Sequence, residues 1–187
     1  MHKISGRLGN AMFQFAYIYA QMKKGLIPDV YVQDPVYFEE CLDDIKRLYG
    51  QGIVPKEYIG IHVRRTDYVG NNFYVDLMKT DYYERAMSEF PGGLFKVFSD
   101  DIEWCKQQEV FQGCLFSDEP DEIKDFNDMA GCQHLVIANS SYSLMCGIVN
   151  PNKGKVVICP YEENYYKDGV IRTVFPKYFT RIKYEPR

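Results

Sequence analysis

Four signatures are missing from this sequence. No two cysteines are spaced as C-x-x-C, no acidic pair reads D-x-D, no G-x-G-x-x-G follows a first strand, and no apolar run approaches the ~20 residues that span a bilayer. The first absence removes the usual zinc and dithiol spacings. The six cysteines, Cys41, Cys105, Cys114, Cys132, Cys146 and Cys159, therefore read as reduced core residues. The second removes the usual ligands of a metal that clamps a diphosphate, and the third disfavours an unrelated Rossmann-like nucleotide enzyme. The N-terminus also has too few consecutive apolar residues for a signal peptide. The expected location is cytoplasmic, free or peripheral at the inner face of the membrane. A basic excess is missing too: the formal net charge is -4, whereas phosphate-tracking surfaces run positive, so no nucleic-acid partner is expected. Any anion bound must be small and held by a local cationic cluster.

What is present is ordinary in bulk. The chain has 187 residues, 46% hydrophobic and 26% charged, enough for one medium domain or two small ones. From residue 59 apolar runs alternate with helical patterns: "YIGIHV", a helix near 80–90, "FKVFSD", a helix near 101–109, "CLFS", a helix near 120–131, "HLVIAN", a helix near 141–149, and "KVVICP". That alternation predicts an α/β fold with a Rossmann-like parallel sheet covered on both faces. The segment from Tyr161 shows no period and is expected to run back across the surface. Before residue 59 the pattern is thinner: a short strand at "HKIS", a helix over "NAMFQFAYIYAQMKKG" stopped by Gly25, a strand at "PDVYVQD" and a helix over "VYFEECLDDIKRLYG" stopped by Gly50. The expected division is an abbreviated N-terminal α/β region over 1–58, a hinge at "GQGIVPKE", and a larger domain with a C-terminal tail over 59–187.

Chemistry-bearing residues gather where strands end, which is where open parallel sheets bind ligands. In "GIHVRRTDYVG" the period of two puts His62 and Arg64 on one face and Arg65 on the other, with Asp67 just beyond. Two guanidinium groups there can grip a diphosphate. The alternative for Arg65 is a structural clamp with Asp67 or another carboxylate. In "GRLGN", Gly9 permits a close backbone approach, and Asn10 at a helix start offers N–H groups to an anion or acts as a plain cap. In "FSDD", one of Asp100 and Asp101 can accept the paired N–H donors of a guanine edge while the other caps the next helix; both can equally be caps. In "IANSSYS", Asn139, Ser140 and Ser141 suit a phosphate at a helix N-terminus, with Ser as a plain N-cap the competing account.

The segments "GRLGNAMFQFAYIYA", "IGIHVRRTDYV", "VFSDDIEWC" and "LVIANSSYS", in this order, resemble glycosyltransferase family 11, the bacterial alpha-1,2-fucosyltransferases. "HVRRTD" is also similar to the arginine motif of the alpha-1,6- and protein O-fucosyltransferases. The resemblance implies a GT-B arrangement, GDP-fucose held mainly by the C-terminal domain, a glycan acceptor and no metal. It implies that Arg64 contacts the donor phosphates with His62 and Arg65 shaping that pocket, and that Asp100 takes the guanine. Ser140 and Ser141 then line the phosphate side, and Gly9 and Asn10 face the site from the N-terminal region. Asp67 and His62 are the nearby candidates for a base. Departures accompany the matches. The stretch between the first two motifs is short, Leu144 and Met145 stand where the family has two tryptophans, and "YVGNNF" lacks the glutamate of the alpha-1,6 enzymes. The expectation is an inverting fucosyltransferase, with a catalytically idle GDP-sugar-binding or partner-binding relative as the alternative. The apolar first helix is expected to pack on the larger domain and on a second copy or a partner.

Overall fold

A computed structural model describes residues 8–24, 33–71, 73–161 and 174–187. The expected strand "HKIS", most of "PDVYVQD" and the helix stop at Gly25 lie outside them. The described helices are α1 (Leu8–Lys23), α2 (Leu42–Tyr49), α3 (Tyr82–Ser88), α4 (Ile102–Cys105), α5 (Glu122–Gly131) and α6 (Ser141–Val149). The strands are β1 (Ile59–Val63), β2 (Phe95–Ser99), β3 (Leu115–Phe116), β4 (His134–Val136), β5 (Val157–Pro160) and β6 (Thr180–Ile182). They form one sheet in the order β3-β2-β1-β4-β5-β6, with every neighbouring pair parallel. This is a Rossmann-type order whose direction reverses between β1 and β4, so a crevice opens beyond the carboxyl ends of those two strands.

Period-two alternation divides the core. Ile59, Ile61, Val63, Val97, Val136, Ala138 and Ile158 join one buried cluster with Tyr82, Tyr83 and Phe111. Leu135, Ile137, Phe98 and Cys159 join the other with Phe126, Met129, Leu144 and Ile148 of α5 and α6. The second cluster also contains Met12, Phe13, Ala16, Ala20, Phe38 and Ile45, so α1, the Pro35–Cys41 segment and α2 share a core with the sheet. Helix α6 is buried from Ser143 to Val149 because α1, α2 and α5 pack on it and Gly147 lies against Val157 of β5. The six cysteines are unbridged, and all but Cys114 are buried.

Two expectations need correction. The continuous helix predicted over residues 36–50 is a 3-10 helix, Pro35–Cys41, followed by α2. Asp34 caps the first piece by accepting from Val36 N–H at 2.9 Å, and Phe38 leaves helical dihedrals at φ -128°, ψ 15°. The C-terminal segment does not merely cross the surface, because Thr180–Ile182 pairs in parallel with β5 as an edge strand. Its three residues are exposed or half-buried, which leaves no apolar run to read. Among the described residues no helix is long and apolar enough to cross a membrane.

Candidate functional site

The crevice beyond β1 and β4 is a cleft of about 500 Å³. Gly9, Asn10, His62, Arg64, Asp67, Asp100, Ser140 and Ser141 all line it, so sequence positions up to 132 apart converge on one space. The loop after β1 reaches the loop after β4 directly: the Tyr68 hydroxyl donates to the Asn139 carbonyl at 2.8 Å.

Arg64 sits at the end of β1 with only 11% of its side chain exposed. Its guanidinium meets Asp67 at 2.6 Å and Asp100 at 2.8 Å, and lies 5.4 Å from the centre of the Tyr68 ring. Asp67 is 56% exposed and stands at the mouth. Asp100 is held from inside: its Oδ1 accepts from the Arg65 N–H at 2.9 Å and its Oδ2 from the Thr66 hydroxyl at 2.5 Å. Burial alone would raise its carboxyl pKa; the Thr66 hydrogen bond, the Arg64 charge and the Arg65 N–H outweigh it, so the group lies below its ordinary value. Both oxygens of Asp100 thus serve protein donors, Arg64 among them.

His62 is 4% exposed and neutral, its pKa pushed down to about 3 by burial and then by the Arg64 charge, against the opposing pull of Asp100. Its buried Nδ1 has no hydrogen-bond partner among the described residues. The backbone carbonyl of His62 accepts from the buried Tyr83 hydroxyl at 3.0 Å, which fixes the end of β1.

The first turns of α1 and α6 meet at the cleft. A Cβ on Gly9 would lie 2.3 Å from the Tyr142 nitrogen, so only glycine allows this approach. Ser140 is the N-cap of α6 but makes no side-chain cap bond, and the Ser141 hydroxyl instead donates to Asn10 Oδ1 at 2.6 Å, which also accepts from Gln33 Nε2 at 2.9 Å. The start of α6 therefore brings oriented backbone N–H groups to the same cleft as Arg64, an arrangement suited to an anion.

Arg65 and Asn139 do not line the cleft. Arg65 lies 3.4 Å over the Trp104 ring and faces Asp76 at 3.8 Å and Asp101 at 3.9 Å. The Asn139 amide donates to the Val75 carbonyl at 3.2 Å. The lining also includes residues the sequence reading passed over, among them Tyr68, Tyr74, Asp125 and Tyr142. Tyr68 and Tyr74 stack with centroids 3.8 Å apart and planes 2° apart. No group of three or more His, Cys, Asp or Glu among the described residues is arranged to hold a metal.

Comparison with known proteins names this arrangement. The family described as "Glycosyl transferase family 11" matches residues 6–171. The chain belongs to that family. Its fold is GT-B-like: the E. coli heptosyltransferase WaaC with ADP superposes with a TM-score of 0.51 at 13% identity, covering 97% of this chain and 52% of that one. Family 11 similarity extends to curated proteins. The O-antigen biosynthesis glycosyltransferase WbnK of Escherichia coli is 30% identical over 111 residues, 54% of this chain and 37% of the relative. The galactoside 2-alpha-L-fucosyltransferase SEC1 of Bos taurus is 29% identical over 57% of this chain and 32% of its own. The alpha-1,2-colitosyltransferase of Escherichia coli is 31% identical over 46% of this chain and 33% of its own. The chain spans about a third of the length of these curated relatives.

Proposed function

We propose that this chain binds GDP-fucose and works as an inverting fucosyltransferase, moving L-fucose to a glycan hydroxyl in alpha-1,2 linkage to a galactoside. The observation that carries the reading is Arg64, nearly buried at the sheet's switch point and facing the same cleft as the first turns of α1 and α6. A diphosphate finds there a fixed guanidinium and oriented N–H groups. An entering phosphate displaces Asp67 from Arg64, and Asp100 keeps the guanidinium in place. In the transfer the bond from fucose C1 to the β-phosphate oxygen breaks with its electron pair left on GDP. The acceptor oxygen bonds C1 from the opposite face, turning a beta-linked donor into an alpha product. Its proton passes to Asp67, which stands exposed at the mouth of the cleft where an acceptor enters, whereas His62 is buried behind Arg64. Arg64 and the N–H groups stabilise the charge growing on GDP, so no metal is called for. The region 1–58 stands on the acceptor side, and a second copy or partner completes the acceptor cleft.

A second reading keeps the donor site without turnover. It rests on the pairing of Asp67 with Arg64, which neutralises part of the guanidinium's charge and engages the candidate base. A GDP-release assay with GDP-fucose across a panel of galactosides decides between them. Acceptor-dependent release supports the transferase; tight GDP binding without release supports the idle form; no GDP binding refutes both.

A further inference from the structure

On the reading that the cleft takes a GDP-sugar, we propose that Asp125 is its positioning residue, the carboxylate that locks the end of β3 to the first turn of α6. One Asp125 oxygen accepts from the Ser117 hydroxyl at 2.5 Å and the other from the Tyr142 hydroxyl at 2.9 Å. Ser117 follows β3 immediately, and its N–H donates to the Val97 carbonyl of β2 at 2.8 Å. Tyr142 belongs to the first turn of α6, against which Gly9 is packed. Its ring lies 5.4 Å from His62 and 5.5 Å from Phe126. One carboxylate thus ties the end of β3 to the α6 wall of the cleft, and it sets the ring beside His62 and the N–H groups at the helix start.

The charge of Asp125 makes this role distinct. A carboxylate on the wall of an anion site repels the ligand, and burial raises its pKa against the two hydroxyl hydrogen bonds that lower it. Its placement is explained by the two hydroxyl donors that converge on it. A purely electrostatic account makes removal of the charge tighten GDP; a positioning account makes it loosen GDP.

The test is titration of GDP into the wild type, Asp125→Ala, Asp125→Asn, Tyr142→Phe and the double variant Asp125→Ala/Tyr142→Phe, with melting temperatures recorded. Loss of one of these hydrogen bonds corresponds to about a tenfold change in affinity. The expected result is therefore about tenfold weaker binding for folded Asp125→Ala, partial rescue by Asp125→Asn, which keeps one acceptor oxygen, and a double variant weaker by less than the product of the single effects. Unchanged or tighter binding in folded Asp125→Ala, or fully multiplicative losses, overturns the role. Absence of GDP binding by the wild type overturns the nucleotide-sugar reading and this role with it; wild-type binding with unchanged variants overturns this role alone.

Discussion

Replacing Gly9 with alanine tests how the cleft is built. The new Cβ would stand 2.3 Å from the Tyr142 nitrogen, 2.5 Å from its Cα and 2.7 Å from the Ser141 carbonyl carbon. All three are backbone atoms, so no side chain can swing away. Ordinary contact requires the first turns of α1 and α6 to separate by on the order of 1 Å. Overpacking of this kind costs about 1–3 kcal/mol, which at about 2–4 °C per kcal/mol for a chain of this size lowers Tm by about 2–12 °C. The separation also moves the α6 N–H groups and breaks the 2.6 Å bond from Ser141 to Asn10. Donors displaced by that much weaken GDP by roughly tenfold or more. The assay is differential scanning fluorimetry with and without GDP, followed by calorimetric titration. A Gly9→Ala chain with wild-type Tm and wild-type GDP affinity refutes the reasoning.

Three further outcomes are expected. Arg65→Ala lowers stability by about 1–3 kcal/mol, because it uncovers Trp104 and leaves Asp76 and Asp101 facing an empty space; GDP affinity drops less than in Arg64→Ala, and the reverse ranking contradicts the clamp. Folded His62 has a pKa of about 3 against an ordinary value of 6.5, so the unfolded chain binds a proton that the native one refuses. Its contribution to stability is intact above pH 6.5 and is lost as pH falls from there toward 3, and urea midpoints at several pH values should show His62→Gln losing less over that window. Any transfer activity survives EDTA, since Arg64 supplies the charge; loss restored by manganese or magnesium contradicts this.

Strands β1 to β5 were legible because a parallel sheet buried on both faces leaves runs such as "IGIHV" and "HLVIAN". Arg64, Asp100, Ser140 and Gly9 were legible for a related reason: each stands at a strand end or helix start, where polar residues break an apolar run. Asp125 was not. It lies inside α5 beside the buried Phe126, and in one dimension it looks like any polar helical position. Only the approach of α5 to α6 brings it to Tyr142. The fate of Arg65 was equally hidden, since its alternatives differed only in tertiary partners. Edge strand β6 escaped because half-exposed residues carry no period.

The central claim is that Arg64 holds the diphosphate of a nucleotide sugar. Calorimetric titration of GDP-fucose into the wild type and into an Arg64→Ala chain shown to be folded by its melt tests it most directly. The account predicts saturable binding by the wild type and, with about 1.5–3 kcal/mol lost at a nearly buried charged contact, an affinity lower by about 10- to 150-fold in the variant. Equal affinity in the two chains would contradict it.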